Sequence, residues 1–80
     1  MSETGIEDLY ACLRRALNAW DHPFTPRTRA AEVPGWDSLH HMLLLMEIEE
    51  RFGVALTAEE TGAMPDVGAL WQAIEERRGA

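Results

Sequence analysis

Apolar side chains recur every three or four positions in the first stretch of the chain, at Ile6, Leu9, Tyr10, Leu13, Ala16, Leu17 and Trp20, the spacing of one helix face. A first helix is predicted from about Gly5 to Ala19, with Thr4 and Glu7 in a capping-box arrangement at its start. The segment from Asp21 to Arg29 holds Pro23 and Pro26 and no helical period, so a long surface connection tucked in by Phe24 is expected. Val33-Pro34-Gly35 then leads to a run from Ser38 to about Arg51 without Gly or Pro. Leu44, Leu45, Ile48 and Phe52 form one stripe of this second helix, with Asp37 placed as its N-cap and Gly53 as its C-cap. Thr57 opens a Glu-Glu turn that Gly62 and Pro65 stop, which fits at most a two-turn helix. Asp66 then caps a last helix that buries Val67, Leu70, Trp71 and Ile74 and places Arg77 and Arg78 at its electronegative end. No strand-like alternation and no internal repeat is present. The pattern predicts an all-α protein, a small four-helix bundle of three longer helices and a short third one.

Composition narrows this picture. Eighty residues make one small domain, spanning 1–80, and a hydrophobic share of 46% argues against disorder. The acidic N-terminal segment is unlike a signal peptide, and the longest run of large apolar residues, Met42 to Met46, is too short to span a bilayer. A cytoplasmic protein with no membrane association is expected. Cys12 is the only cysteine, so no intrachain disulfide can form. The net charge of −7 is concentrated between residues 32 and 66, where Glu32, Asp37, Glu47, Glu49, Glu50, Glu59, Glu60 and Asp66 face Arg51 alone. Such a segment repels nucleic acid and attracts a basic protein surface, although the same excess also serves solubility.

The candidate chemistry sits at the start of the second helix. Ser38 is at a helix N-terminus, where unpaired backbone N–H groups and the helix dipole favour an anion such as a phosphate ester. Pro34 and Gly35 would hold the preceding loop tight and the hydroxyl accessible. The same Asp-Ser pattern serves equally as a simple helix cap. A hydrolase is disfavoured, because Asp37, Ser38 and His41 point in different directions on a helix and no Gly-x-Ser-x-Gly elbow surrounds the serine. His22, His40, His41 and Cys12 lack metal-ligand spacing, and the histidines are expected at the surface.

The segment from Gly35 to Leu56, in which Asp37-Ser38-Leu39 opens a helix that ends in Glu49-Glu50-Arg51-Phe52-Gly53, resembles the signature of the acyl carrier protein family. The short turn after Leu56 and the final Leu70-Trp71-x-x-Ile74 helix extend the resemblance over nearly the whole chain, most weakly in residues 20 to 32. It implies that a phosphopantetheinyl transferase attaches 4′-phosphopantetheine from coenzyme A to Ser38, and that the protein is a carrier and not an enzyme. By the same resemblance Asp37 assists recognition by the transferase, and Leu39 anchors the base of the arm or meets partners; an N-cap and a core side chain are their structural alternatives. Trp36 sits beside the attachment position, to be read by a partner or to anchor the loop.

The second helix departs from carriers of the fatty-acid type, which place acidic residues in the turns after the serine; here stand His40, His41 and Leu43. With one stripe facing the core, Met42, Leu43 and Met46 cannot all be buried, so an apolar patch is expected near the arm, or the mouth of an internal acyl pocket. Partner enzymes would dock on that patch beside His40, with Glu47, Glu49, Glu50, Glu59 and Glu60 orienting basic surfaces. These features resemble free-standing carriers of polyketide, antibiotic and related secondary-metabolite pathways. The implied partners are an acyltransferase or an adenylating enzyme that loads the arm, and a ketosynthase or other acyl-accepting enzyme; a discrete monomer is expected. A peptidyl carrier of nonribosomal type shares the fold and arm, but commonly has His before the serine where Asp37 stands. An unmodified helical adaptor for a basic partner is the alternative from another class.

Overall fold

The computed structural model describes residues 5–79. It holds four α-helices, α1 (Ile6–Leu17), α2 (Ser38–Phe52), α3 (Ala58–Gly62) and α4 (Val67–Gly79), with a single 3-10 turn at Ala30–Glu32 in the long first connection. The fold is an all-α small bundle, with no strand among the described residues.

Side chains from three helices meet in the core. Leu9 and Leu13 of α1, Leu44 and Ile48 of α2, and Val67 and Ile74 of α4 are fully buried. Each such side chain contributes on the order of 1.5–3 kcal/mol of hydrophobic stabilisation. The α2 stripe of Leu44, Leu45, Ile48 and Phe52 is buried as its spacing predicts. Arg51 pairs with Asp8, and Arg15 with Glu47 at 3.5 Å, which ties the exposed edges of α1 and α2 together. Trp71, expected in the core, is half-buried: its ring meets Phe52 edge-on at 5.6 Å, and the Arg78 guanidinium lies 5.4 Å from its centroid.

The start and end of α1 differ from the sequence expectation. Thr4, one half of the expected capping box, lies outside the described residues. Asp8 supplies the cap instead of Glu7, since the helix begins at Ile6 and the Asp8 carboxylate accepts the Gly5 N–H at 3.0 Å. At the other end Asn18 adopts the left-handed conformation (φ 53°), so the helix stops before Ala19. Trp20 is consequently turned off the buried stripe; it is 60% exposed, and its indole donates to the Asn18 side chain at 3.1 Å.

The connection after α1 is more than a surface strap. Phe24 is buried as expected, stacked at 6.2 Å from Tyr10, but Thr28 and Val33 are buried as well. Thr28 accepts the Thr25 N–H on its hydroxyl at 2.8 Å, which closes a tight turn. That turn caps α4: the Val67 N–H donates to the Thr28 carbonyl at 2.8 Å and the Gly68 N–H to the Pro26 carbonyl at 2.7 Å. Asp66 completes the cap by accepting the Ala69 N–H at 2.9 Å. The loop therefore satisfies orphan donors that a helix start otherwise leaves to water.

α3 is attached differently from its neighbours. Its one buried side chain is Thr61, a polar residue, and its entry is closed by a reciprocal box between Thr57 and Glu60. Arg77, expected at the electronegative end of α4, reaches out of it to the Ala55 carbonyl at 2.5 Å and to Glu60. Among the described residues no helix is long and apolar enough to cross a membrane.

Candidate functional site

Gly35 turns the chain into α2 with a φ of +86°, in the left-handed region that other residues rarely adopt. The Trp36 N–H donates to the Val33 carbonyl at 3.2 Å and the Asp37 N–H to the Gly35 carbonyl at 3.0 Å, so the turn is held by its own backbone. Asp37 is the N-cap: its carboxylate accepts the His40 N–H at 2.9 Å and lies 2.7 Å from His40 Nδ1. Those two bonds to His40, the backbone one first, hold the Asp37 carboxyl below the usual aspartate range.

Ser38 follows as the first residue of α2, exposed, with no hydrogen bond from its hydroxyl or its N–H to the rest of the described protein. Leu39, at the second position, likewise has no acceptor for its N–H. Two donors at the positive end of a 15-residue helix thus face solvent around an accessible hydroxyl. This arrangement fits a phosphodiester on Ser38 Oγ: the ester anion would meet the two N–H groups, and nothing has to move to expose the oxygen.

A cleft of about 440 Å³ opens beside Ser38, lined among others by Trp36, His41, Met42, Thr61, Met64 and Leu70. His41 lies in its wall, half-buried, and the expectation of a surface histidine does not hold for it. The Trp36 indole N–H donates to His41 Nδ1 at 3.0 Å, and His41 Nε2 is 2.6 Å from the Thr61 hydroxyl. Burial lowers the His41 pKa. Trp36 is half-buried against the core, with its ring 6.1 Å from that of His41.

Around the serine, α2 shows a second apolar stripe. Leu39 and Met46 are 66% and 64% exposed, and Met42 and Leu43 lie between them, also exposed. Positions 39, 42, 43 and 46 share one face by helical spacing, and Leu39 is not a core residue. Met42 borders the cleft, whereas Leu43 and Met46 border a separate shallow groove with Arg15 and Glu47. The acidic residues around the stripe are unequal: Glu47 pairs with Arg15 and Glu60 with Arg77, while Glu49, Glu50 and Glu59 are exposed. His40 is half-buried over Asp37.

Sequence reasoning missed His41 and Thr61 as partners. Twenty residues separate them and Thr61 is polar, so no periodicity joins them. Cys12 is buried and its thiol, pushed up to about 11 chiefly by burial, faces the Glu47 carbonyl, which makes it a packing residue. Among the described residues no cluster of three or more His, Cys, Asp or Glu is placed to hold a metal ion.

No protein-family model matches the chain, and no solved structure matches it significantly. Curated relatives do. An acyl carrier protein of Helicobacter pylori is 32% identical over 73 residues, covering 91% of this chain and 94% of the relative. Acyl carrier protein MbtL of Mycolicibacterium paratuberculosis is 39% identical over 67 residues, covering 84% of this chain and 75% of the relative. With an Asp-capped, solvent-facing serine at the head of α2 in an all-α bundle, and relatives of this name matched over most of their length, the chain belongs to the acyl carrier protein family.

Proposed function

We propose that the protein carries an acyl group as a thioester on a 4′-phosphopantetheine arm attached to Ser38, and that it acts as a single cytoplasmic carrier domain rather than a catalyst. The observation that carries this reading is the exposed, unpartnered Ser38 hydroxyl at the first position of α2 in a chain whose relatives are named acyl carrier proteins. Ser38 Oγ would bond the pantetheine-side phosphorus of coenzyme A and lose its proton, while the pyrophosphate bond breaks and adenosine 3′,5′-bisphosphate leaves. Asp37 would hold α2 capped during this step and present a carboxylate to the transferase. The attached arm supplies a terminal thiol that keeps its acyl group activated for transfer. Co-expression with a promiscuous phosphopantetheinyl transferase tests the reading by intact mass. The wild type is expected to gain the arm and Ser38→Ala to remain unmodified; an unmodified wild type removes the carrier reading, and a modified Ser38→Ala moves the site.

The exposed stripe of Leu39, Met42, Leu43 and Met46 supports docking of partner enzymes on α2 through apolar contact, beside Trp36 and His40. Glu59 and the paired Glu47 and Glu60 would contribute to the electrostatic rim that orients a basic surface. The neutral start of α2 favours loading and accepting enzymes of polyketide or related secondary-metabolite synthesis: an acyltransferase or adenylating enzyme, then a ketosynthase or other acceptor. An aminoacyl cargo belongs to the same chemistry. Incubating the arm-bearing protein with candidate acyl and aminoacyl donors and their loading enzymes, read by mass, separates the two cargoes. Efficient elongation of a long-chain fatty acyl group by a primary-metabolism synthase would overturn the pathway assignment and leave the carrier role intact.

A further inference from the structure

Two segments twenty residues apart, Trp36 to His41 and Thr57 to Thr61, are joined at the cleft by one directed chain of hydrogen bonds. The Trp36 indole can only donate, so His41 Nδ1 accepts and the ring proton must sit on Nε2. Nε2–H then donates to the Thr61 hydroxyl at 2.6 Å, and that hydroxyl donates in turn to the Thr57 carbonyl at 2.8 Å. Every donor in this chain is matched when His41 is neutral. A second proton, on Nδ1, would place an N–H against the Trp36 N–H and break the first link.

α3 is held to its neighbours by polar bonds, this chain and the Arg77–Glu60 pair among them. α1, α2 and α4 are anchored by stripes of Leu, Ile and Val, whereas the one buried side chain of α3 is Thr61. Met64, which follows α3, and Trp36 line the cleft on either side of this junction together with His41.

We propose that His41 is a positioning residue that latches α3 and the Trp36 loop together across the cleft beside Ser38, and that it releases them when its ring takes up a second proton. The chain of bonds predicts a cleft that is narrow and ordered at neutral pH and wider in mildly acidic solution. The charged groups nearby are already committed elsewhere. Asp37 and His40 bond each other, Asp66 caps Ala69, and Glu60 on α3 is held by Thr57 and Arg77. Burial is the one cause that shifts His41, and it favours the neutral ring. The carrier reading gives this cleft its use, since the arm and its cargo would lie at its edge. The latch itself is a property of the unmodified protein, so either reading can fail alone.

The test is hydrogen exchange and ring titration by NMR on the unmodified full-length chain, corrected for intrinsic exchange rates. At about pH 8 the Trp36 indole N–H and the Thr61 amide are expected to be protected, with the Trp20 indole, bonded only at the surface to the exposed Asn18 side chain, as the weakly protected reference. Both protections should fall about fivefold or more, the weight of one lost hydrogen bond, at the midpoint at which the His41 ring titrates, below about 6.5. His41→Gln, which keeps one acceptor and one donor without a titrating ring, should show a flat profile. Trp36→Phe, which removes the indole donor and keeps an aromatic ring, should move the His41 midpoint upward. A Trp36 indole that exchanges as fast as Trp20 at about pH 8, protection unchanged through the His41 titration, or a pH step that survives in His41→Gln would each overturn the latch.

Discussion

At the scale of single residues, one substitution can separate the cap that Asp37 provides from the recognition role proposed for it. As N-cap it accepts the His40 N–H, a bond that asparagine can also make, while its charge is available to a partner. Asp37→Asn, which keeps the cap and loses the charge, is therefore expected to lower the urea unfolding midpoint only slightly, less than Asp37→Ala, and to slow modification of Ser38. Asp37→Ala should slow modification and also destabilise the fold, lowering the folded-to-unfolded ratio about fivefold. Unchanged modification in Asp37→Asn, followed by intact mass over time, would confine Asp37 to capping. Gly68 offers a second test, of packing alone. A Cβ there would lie 2.9 Å from the Pro26 carbonyl oxygen, the same atom that accepts the Gly68 N–H. Because that oxygen belongs to backbone and cannot swing away, Gly68→Ala is expected to destabilise the protein by about 1–3 kcal/mol in urea denaturation, despite alanine's better helix propensity.

At the scale of elements, α2 has two apolar stripes with opposite fates, and neighbouring positions should behave differently. Leu44 is fully buried, so Leu44→Ala is expected to cost about 2–5 kcal/mol, seen as a lower urea midpoint. Leu43, one residue away, is exposed, and Leu43→Glu should change stability by less than about 0.5 kcal/mol while impairing transfer to partner enzymes. Equal transfer rates for Leu43→Glu and wild type would remove the docking face. The core stripe of α2 and its caps were legible in the sequence, because spacing and capping are local, and the exposure of Met42, Leu43 and Met46 followed from them. Leu39, read as an anchor of the arm or a core side chain, was not placed on the exposed stripe. The end of α1 was not legible, since Asn18 stops the helix by a left-handed conformation where the apolar period runs on to Trp20. Nor was the docking of residues 25–28 onto α4, which uses carbonyls that every residue possesses. The latch escaped for the same reason: His41 and Thr61 meet through tertiary structure, and neither has a neighbour that marks it.

At the scale of the whole molecule, charge sets the response to pH and salt. Asp8, Asp37 and Glu60 have pKa values lowered from 3.8, 3.8 and 4.5 by bonds to Arg51, to His40, and to Thr57 with Arg77 respectively. Their folded states bind fewer protons than the unfolded chain in acid, so this stabilisation is complete above those values and is lost as pH falls through the lowered ones. His41 adds an earlier loss. Its lowered value means that the unfolded chain takes up a proton first as pH drops through about 6.5, which favours unfolding. Salt acts on stability and on docking with opposite signs. A net charge of −7 on 80 residues repels itself, and the exposed ion pairs that salt would weaken are worth only about 0–1 kcal/mol each. Screening of the net repulsion should win, so the thermal midpoint is expected to rise between about 0.02 and 0.5 M salt. Transfer to a basic partner should slow over the same range, because the steering proposed for the exposed Glu49, Glu50 and Glu59 would be screened while apolar contact with Leu43 and Met46 would not. Parallel melting curves and transfer rates check both signs. A transfer rate indifferent to salt would assign docking to the apolar stripe alone, and a thermal midpoint that falls with salt would show that the ion pairs joining α1 to α2 and α3 to α4 outweigh the acidic excess.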